Sequence, residues 1–190
     1  MVYMDLKVVN QDLEIMTESM VKSQSHHANT ELVQELTENT VTGGVAMINH
    51  ALAEMWQETD DILMHDWYLA LLASAFGNLV FIDQPGELYR QHSDNVLGAR
   101  TLSKRFKKWI RPHILFAVYW DLIKNSQKQA SHLLQMPLSQ SNRELIEAFV
   151  TIMDKSMLER FRILRKYGLR KNKAFHTLVF TTLIVTKFAY

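Results

Sequence analysis

The texture of the sequence changes at Gly98, and that change constrains the fold more than any other feature. Before it, short β-forming runs alternate with turn signals. Val2 to Val9 reads as a strand, Asn10-Gln11-Asp12 as a turn, and Leu13 to Met16 as a short returning strand. Ser19 to Thr30 is polar and reads as a helix end or loop, and Glu31 to Glu38 as a short helix. Thr42-Gly43-Gly44 reads as a tight turn, where glycine permits positive φ and close approach of a ligand. Val45 to Ile48 is a short apolar run, and Asn49 can cap a helix reaching about Gln57. Leu69, Leu72, Ala73 and Phe76 recur at helical spacing, with Asp66 at the helix start and Gly77 as a stop. Leu79 to Ile82 reads as a buried strand, Pro85-Gly86 as a turn, and Glu87 to Arg90 as a further extended piece.

Beyond Gly98 the pattern is helical over roughly 102–125, 141–166 and 173–188, with breaks near Met136-Pro137 and at Gly168. The expected fold is therefore α/β over residues 1–100, followed by an all-helical C-terminal region over 101–190. A chain of 190 residues with 47% apolar content is long enough to bury a substantial core. It has no cysteine, which excludes a disulfide framework and Cys-ligated metal sites.

The net charge of +1 hides a division along the chain. Residues 1–99 hold three basic residues against fifteen acidic ones, a net of −12. Residues 100–190 hold eighteen against five, a net of +13. Two functional surfaces are expected, and the basic one points to an anionic partner. Lys104, Arg105, Lys107, Lys108 and Arg111 surround Phe106 and Trp109. A second basic stretch, from Arg160 to Lys173, precedes the apolar run Phe175 to Phe188. That run is too short and too polar for a transmembrane helix, which needs about 20 apolar residues. Basic residues interleaved with aromatics suit a helix lying on an anionic membrane surface. No nucleic-acid motif accompanies the charge, and no nucleic acid is expected as partner.

Three runs carry the chemistry: Asn39-Thr-Val-Thr-Gly-Gly-Val-Ala-Met-Ile-Asn49, His65-Asp66-Trp67-Tyr68, and Tyr89-Arg90-Gln91-His92-Ser93-Asp94-Asn95. In that order they resemble bacterial family 2 glycosyltransferases, in particular the rhamnosyltransferase-like members that build surface polysaccharides. The resemblance covers roughly residues 1–100, and Val2-Tyr3-Met4-Asp5-Leu6 is similar to a strand of the same enzymes.

The resemblance implies part of a GT-A fold. It implies transfer of a sugar, rhamnose among the candidates, from a nucleotide donor to a growing glycan or lipid-linked glycan, with inversion. Asp66 corresponds to the family's base, which takes the proton of the acceptor hydroxyl as that oxygen attacks. A helix N-terminus favours such a carboxylate in its ionised form. Thr42, Gly43 and Gly44 would line the sugar pocket, with His65 at its edge. Arg90 and His92 would face the diphosphate, where a guanidinium can make two parallel hydrogen bonds, and Gln91 would be a further substrate-binding residue. His92 would complete the coordination of a divalent Mg or Mn ion. Asn95 would bond sugar hydroxyls, and Trp67 and Tyr68 could stack on a ring. The expected place of action is cytoplasmic, peripheral to the inner face of the cell membrane.

The chain departs from the family in having no Asp-x-Asp pair; Asp60-Asp61 is adjacent rather than spaced. The hard oxygen ligands that hold the metal on the donor side are thus missing. The expectation is a truncated C-terminal part, the acceptor side without its nucleotide-binding half. Each residue also has a plainer reading: Asp66 as an N-cap, Trp67 as core, His26-His27 as solvated, Asp83 as a strand end. Two other functions compete. One is a non-catalytic membrane-associated module acting through the basic helices. The other is a metal phosphohydrolase using His26 or His27 with His65-Asp66, a reading that requires an all-helical fold.

Overall fold

The computed structural model describes residues 1–56, 62–90 and 112–190, with side chains from residue 116 onward in the last segment. Among them the chain forms a mixed four-stranded sheet and eight α-helices. The strands are β1 (Val2–Val9), β2 (Ile15–Thr17), β3 (Ala46–Met47) and β4 (Val80–Arg90). The helices of the first half are α1 (Met20–Ser25), α2 (Leu32–Glu35), α3 (His50–Glu54) and α4 (His65–Phe76). Those of the second half are α5 (Pro112–Leu133), α6 (Gln140–Val150), α7 (Met157–Tyr167) and α8 (Ala174–Thr186). The α/β reading of the first half and the helical reading of the second both hold at this level.

Strand β1 is central. β4 runs parallel to it from Val2 opposite Val80 to Val9 opposite Arg90. On the other side, β2 pairs antiparallel at one end and β3 at the other, where Tyr3 faces Ala46. β1 puts Tyr3 into the main core and Leu6 and Val8 into a smaller cluster with Met20. Buried Asp5 ties β1 to α1: its carboxylate accepts the Leu6 and Val21 backbone N–H groups at 2.8 and 3.1 Å, and the Ser19 hydroxyl. Ser19 also caps α1, accepting from Lys22 N–H at 3.0 Å.

Pro85-Gly86 is not a turn. Both residues lie within β4, where the pairing with β1 shifts register around Asp5. Proline donates no ladder bond and is tolerated at a bulge or edge, so the strand passes through it. A Cβ on Gly86 would press on the Met4 side chain at 3.1–3.3 Å, which is why the position suits glycine. Asp83 sits mid-strand and pairs with Lys22 at 3.0 Å. The polar stretch after Ser19 contains a true helix, and the span 141–166 is two helices. Ser156 and Glu159 form a capping box that starts α7 afresh after a 3₁₀ turn at Ile152–Asp154. Gly168 ends α7 in the left-handed conformation.

One continuous core joins the two halves. It contains Tyr3, Leu36, Trp67 and Leu71 from the first and Trp120, Phe149, Phe180 and Ile184 from the second. Polar bonds cross the same boundary: Ser126 Oγ donates to the Leu36 carbonyl at 2.6 Å, Thr37 Oγ1 to the Arg170 carbonyl at 2.7 Å, and Asn142 Nδ2 to the Ala75 carbonyl at 2.8 Å. The apolar run of α8 is thus directed inward at Phe180, Leu183 and Ile184. Among the described residues, no helix is long and apolar enough to cross a membrane.

A shared core is expected to unfold as one unit. Phe180→Ala, in the second half, should cost about 3–5 kcal/mol and lower the tryptophan-fluorescence and far-ultraviolet dichroism midpoints together. Separated transitions for the two signals would show two independent units.

Candidate active site

The site is assembled where the N-terminus of α4 meets the turn between α2 and β3. Met64 is the N-cap of α4, so Asp66 lies inside the first turn and the plain N-cap reading is corrected. Asp66 is 7% exposed. Its Oδ1 accepts the Trp67 backbone N–H at 2.7 Å, and its Oδ2 accepts the Gly43 N–H at 3.2 Å. Each oxygen retains a further lone-pair direction. The two sequence runs, 23 residues apart at these positions, are therefore joined by a hydrogen bond.

The glycine turn is a single 3₁₀ turn, Gly43–Val45, entered from extended Thr42. A Cβ on Gly43 would lie 2.8 Å from His65 Nε2 and 3.6 Å from the Asp66 Cβ, so the backbone approaches this edge as closely as it can. A Cβ on Gly44 would meet Glu87 Oε2 at 3.0 Å. Glu87 thus joins the site from β4, although nothing in its sequence context marks it. Arg90, three residues on, lies about 10 Å further along the strand at the usual strand rise, opposite Val9. Thr42, Gly43, Gly44, His65 and Asp66 come together, and Arg90 stands along the same strand as Glu87. Gln91, His92 and Asn95 lie outside the described residues, as do Asp60-Asp61 and the basic cluster from Lys104 to Arg111.

Trp67 and Tyr68 are core residues, 3% and 0% exposed. The Trp67 indole N–H donates to the Glu35 carbonyl at 2.7 Å, and Tyr68 packs edge-on to Trp56 and His132. Trp67 also contributes to the wall of a cavity of about 210 Å³ between β1, α1 and the 38–42 segment. Thr42, Met64, Asp5, Glu38 and Lys171 line it too. Several of its polar groups are already engaged, with each other or with residues behind the wall. Glu38 accepts Ser25 Oγ at 2.7 Å and the Asn172 N–H at 3.0 Å, and the Lys171 ammonium donates to the Thr37 carbonyl. Desolvation brings Lys171 down to about 8.

Glu35 was not visible from sequence. It is fully buried, and neither carboxyl oxygen makes a hydrogen bond of good geometry, although the Asn29 amide and the Thr40 backbone lie close by. Burial pushes its pKa well above the usual carboxylate range; the Asn29 amide and the Thr40 backbone oppose the rise, and Glu38 and Asp66 add to it. Burial thus favours the neutral form of Glu35, which lies near enough to Asp66 for their charges to interact.

Among the described residues no three His, Asp or Glu side chains are placed to hold a metal ion, and His92, the expected ligand, lies outside them. The four-stranded sheet is foreign to the all-helical fold that the phosphohydrolase reading requires. His26 and His27 are exposed, and His26 closes α1. Compared with models of known protein families, with curated proteins and with solved structures, the chain matches none.

Two measurements test this geometry. Gly43→Ala should change stability by less than about 1 kcal/mol, because the exposed His65 ring can swing aside; the imidazole resonances of His65 should move. Unmoved resonances would mean that the turn does not touch His65. Glu35 is raised in the folded chain, so between its unfolded value of 4.5 and its higher folded value the native state holds the extra proton. Wild-type stability then falls as pH rises through that window. The stability of Glu35→Gln relative to wild type should grow from pH 4.5 towards neutrality, as read by urea unfolding. A pH-independent difference would show that Glu35 is not held protonated.

Proposed function

We propose that the chain is the acceptor-side part of an inverting sugar transferase of the family 2 type, with a GT-A-like arrangement and Asp66 as general base. The observation that carries this reading is the bond between Gly43 N–H and Asp66 Oδ2. It joins the glycine turn to the His-Asp run, the two motifs on which the family resemblance rests. In the proposed step an acceptor hydroxyl approaches the free lone pair of Asp66. Its proton passes to the carboxylate as the oxygen attacks the anomeric carbon, and the nucleoside diphosphate leaves from the opposite face. Gly43 and Gly44 let the backbone close against His65 and Glu87, so those two side chains would border the sugar at this edge. Arg90, at the end of β4, supplies positive charge on the diphosphate side. The donor class is a nucleotide sugar, the acceptor a glycan or lipid-linked glycan, and the setting the inner membrane face.

Asp66→Asn preserves shape and the acceptor lone pair of one oxygen while removing the base. Transfer from dTDP- or UDP-sugars to a lipid-linked glycan should fall about 10²–10⁴-fold, with the dichroism spectrum retained and the unfolding midpoint lowered only as far as the loss of one accepted backbone N–H requires. Retained transfer in the variant would remove Asp66 as base. Since the sequence has no Asp-x-Asp pair, binding of the nucleotide sugar by this chain with Mn²⁺ should be weak in calorimetry.

A further inference from the structure

The outward face of α7 combines exposed apolar side chains with cations. Leu158 and Phe161 are 65% and 47% exposed, with Met157 beside them at 54%. Arg162 and Arg165 are exposed at helical spacing from Leu158 and Phe161, on the same face. The inward face of the helix holds Arg160 and Leu164, which are buried. Nothing in the core requires Leu158 or Phe161 to be apolar. Two large apolar residues flanked on the same helix face by two arginines form the pattern of a helix lying in a membrane interface.

The surrounding charge selects the partner. From Lys155 to Tyr190 there are nine Lys and Arg residues, and Glu159 is the sole acid. Glu159 is occupied by the capping box, accepting from Ser156 N–H at 2.9 Å. Phe175 and Leu178, at the start of the adjoining α8, are also more than half exposed. The deeper apolar residues of α8 are consumed by the core, so this helix cannot lift out to insert. We infer that α7 is a membrane-docking surface for an anionic bilayer, with Leu158 and Phe161 entering the interface and Arg162 and Arg165 meeting lipid phosphates. This inference is independent of the sugar-transfer reading: either can fail alone.

The test is co-sedimentation of the full chain with sucrose-loaded vesicles, phosphatidylcholine alone against phosphatidylcholine with phosphatidylglycerol. Binding should require the anionic lipid and weaken as salt rises. Leu158→Ser with Phe161→Ser should reduce partitioning at least ~10-fold. Arg162→Gln with Arg165→Gln should reduce it by about 5-fold per charge and flatten the salt dependence. Because all four side chains are exposed, unfolding midpoints should be unchanged. If the serine pair lowers the midpoint, the glutamine pair decides. Equal binding to both vesicle types, no binding, or full retention by both variants would overturn the inference. So would displacement of the chain from vesicles by equimolar double-stranded DNA, which would make the surface a general polyanion binder.

Discussion

The structure depends on the hydrogen bond from the Trp67 indole to the Glu35 carbonyl. It is buried, and a buried indole N–H left without a partner would cost about 1–3 kcal/mol. It therefore fixes where α4 begins relative to α2. That placement brings Asp66, one residue earlier, to the Gly43 N–H. The same carbonyl belongs to a residue whose side chain lies in the dry interior. One bond thus sets the position of the candidate base and of the acid behind it.

The neighbourhood shows the same logic. Tyr3 donates to the Asn29 carbonyl at 2.7 Å and shares a 2.8 Å bond with Thr40 Oγ1, while the Asn29 N–H donates to that same hydroxyl oxygen at 2.9 Å. β1 is thereby fastened to both ends of the segment that holds α2. The helical half adds its own fastening through Asn172, whose amide reaches Asn29 Oδ1 at 2.8 Å. The site is built in the first half and held by the second. This explains why the charge boundary near Gly98 is not a boundary in the core.

Much of this was legible in sequence, and the reasons differ element by element. Asn49, Gly77 and Gly168 marked helix ends because capping is local chemistry. The contact between Gly43 and Asp66 could be anticipated only through a family resemblance, since nothing local relates the two runs. Pro85-Gly86 read as a turn because its composition says so; the strand continues because β1 is there to pair with, and pairing is non-local. The break between α6 and α7 was written as Ser-x-x-Glu at 156–159 and could have been found. Glu35 could not: a glutamate in a four-residue helix reads as solvated, and only the packing of α2 against α4 buries it. Likewise the apolar run of α8 has the composition of an interfacial helix, and tertiary packing alone assigns it to the core.

Glu35 bears on the chemistry of Asp66 through charge. Two ionised carboxylates in one partly dry corner repel, by an amount that grows as water is excluded. Burial eases the conflict by raising Glu35 well above the usual carboxylate range, which favours its neutral form beside the residue proposed to accept a proton. An apolar residue at position 35 would achieve the same neutrality without an unsatisfied polar group. What the carboxyl adds is a response to pH: once it ionises, the corner acquires a charge that the packing cannot hydrate. Stability should fall from the unfolded value upward, whereas the field at Asp66 should change only near the higher folded value, where the native state itself gives up the proton.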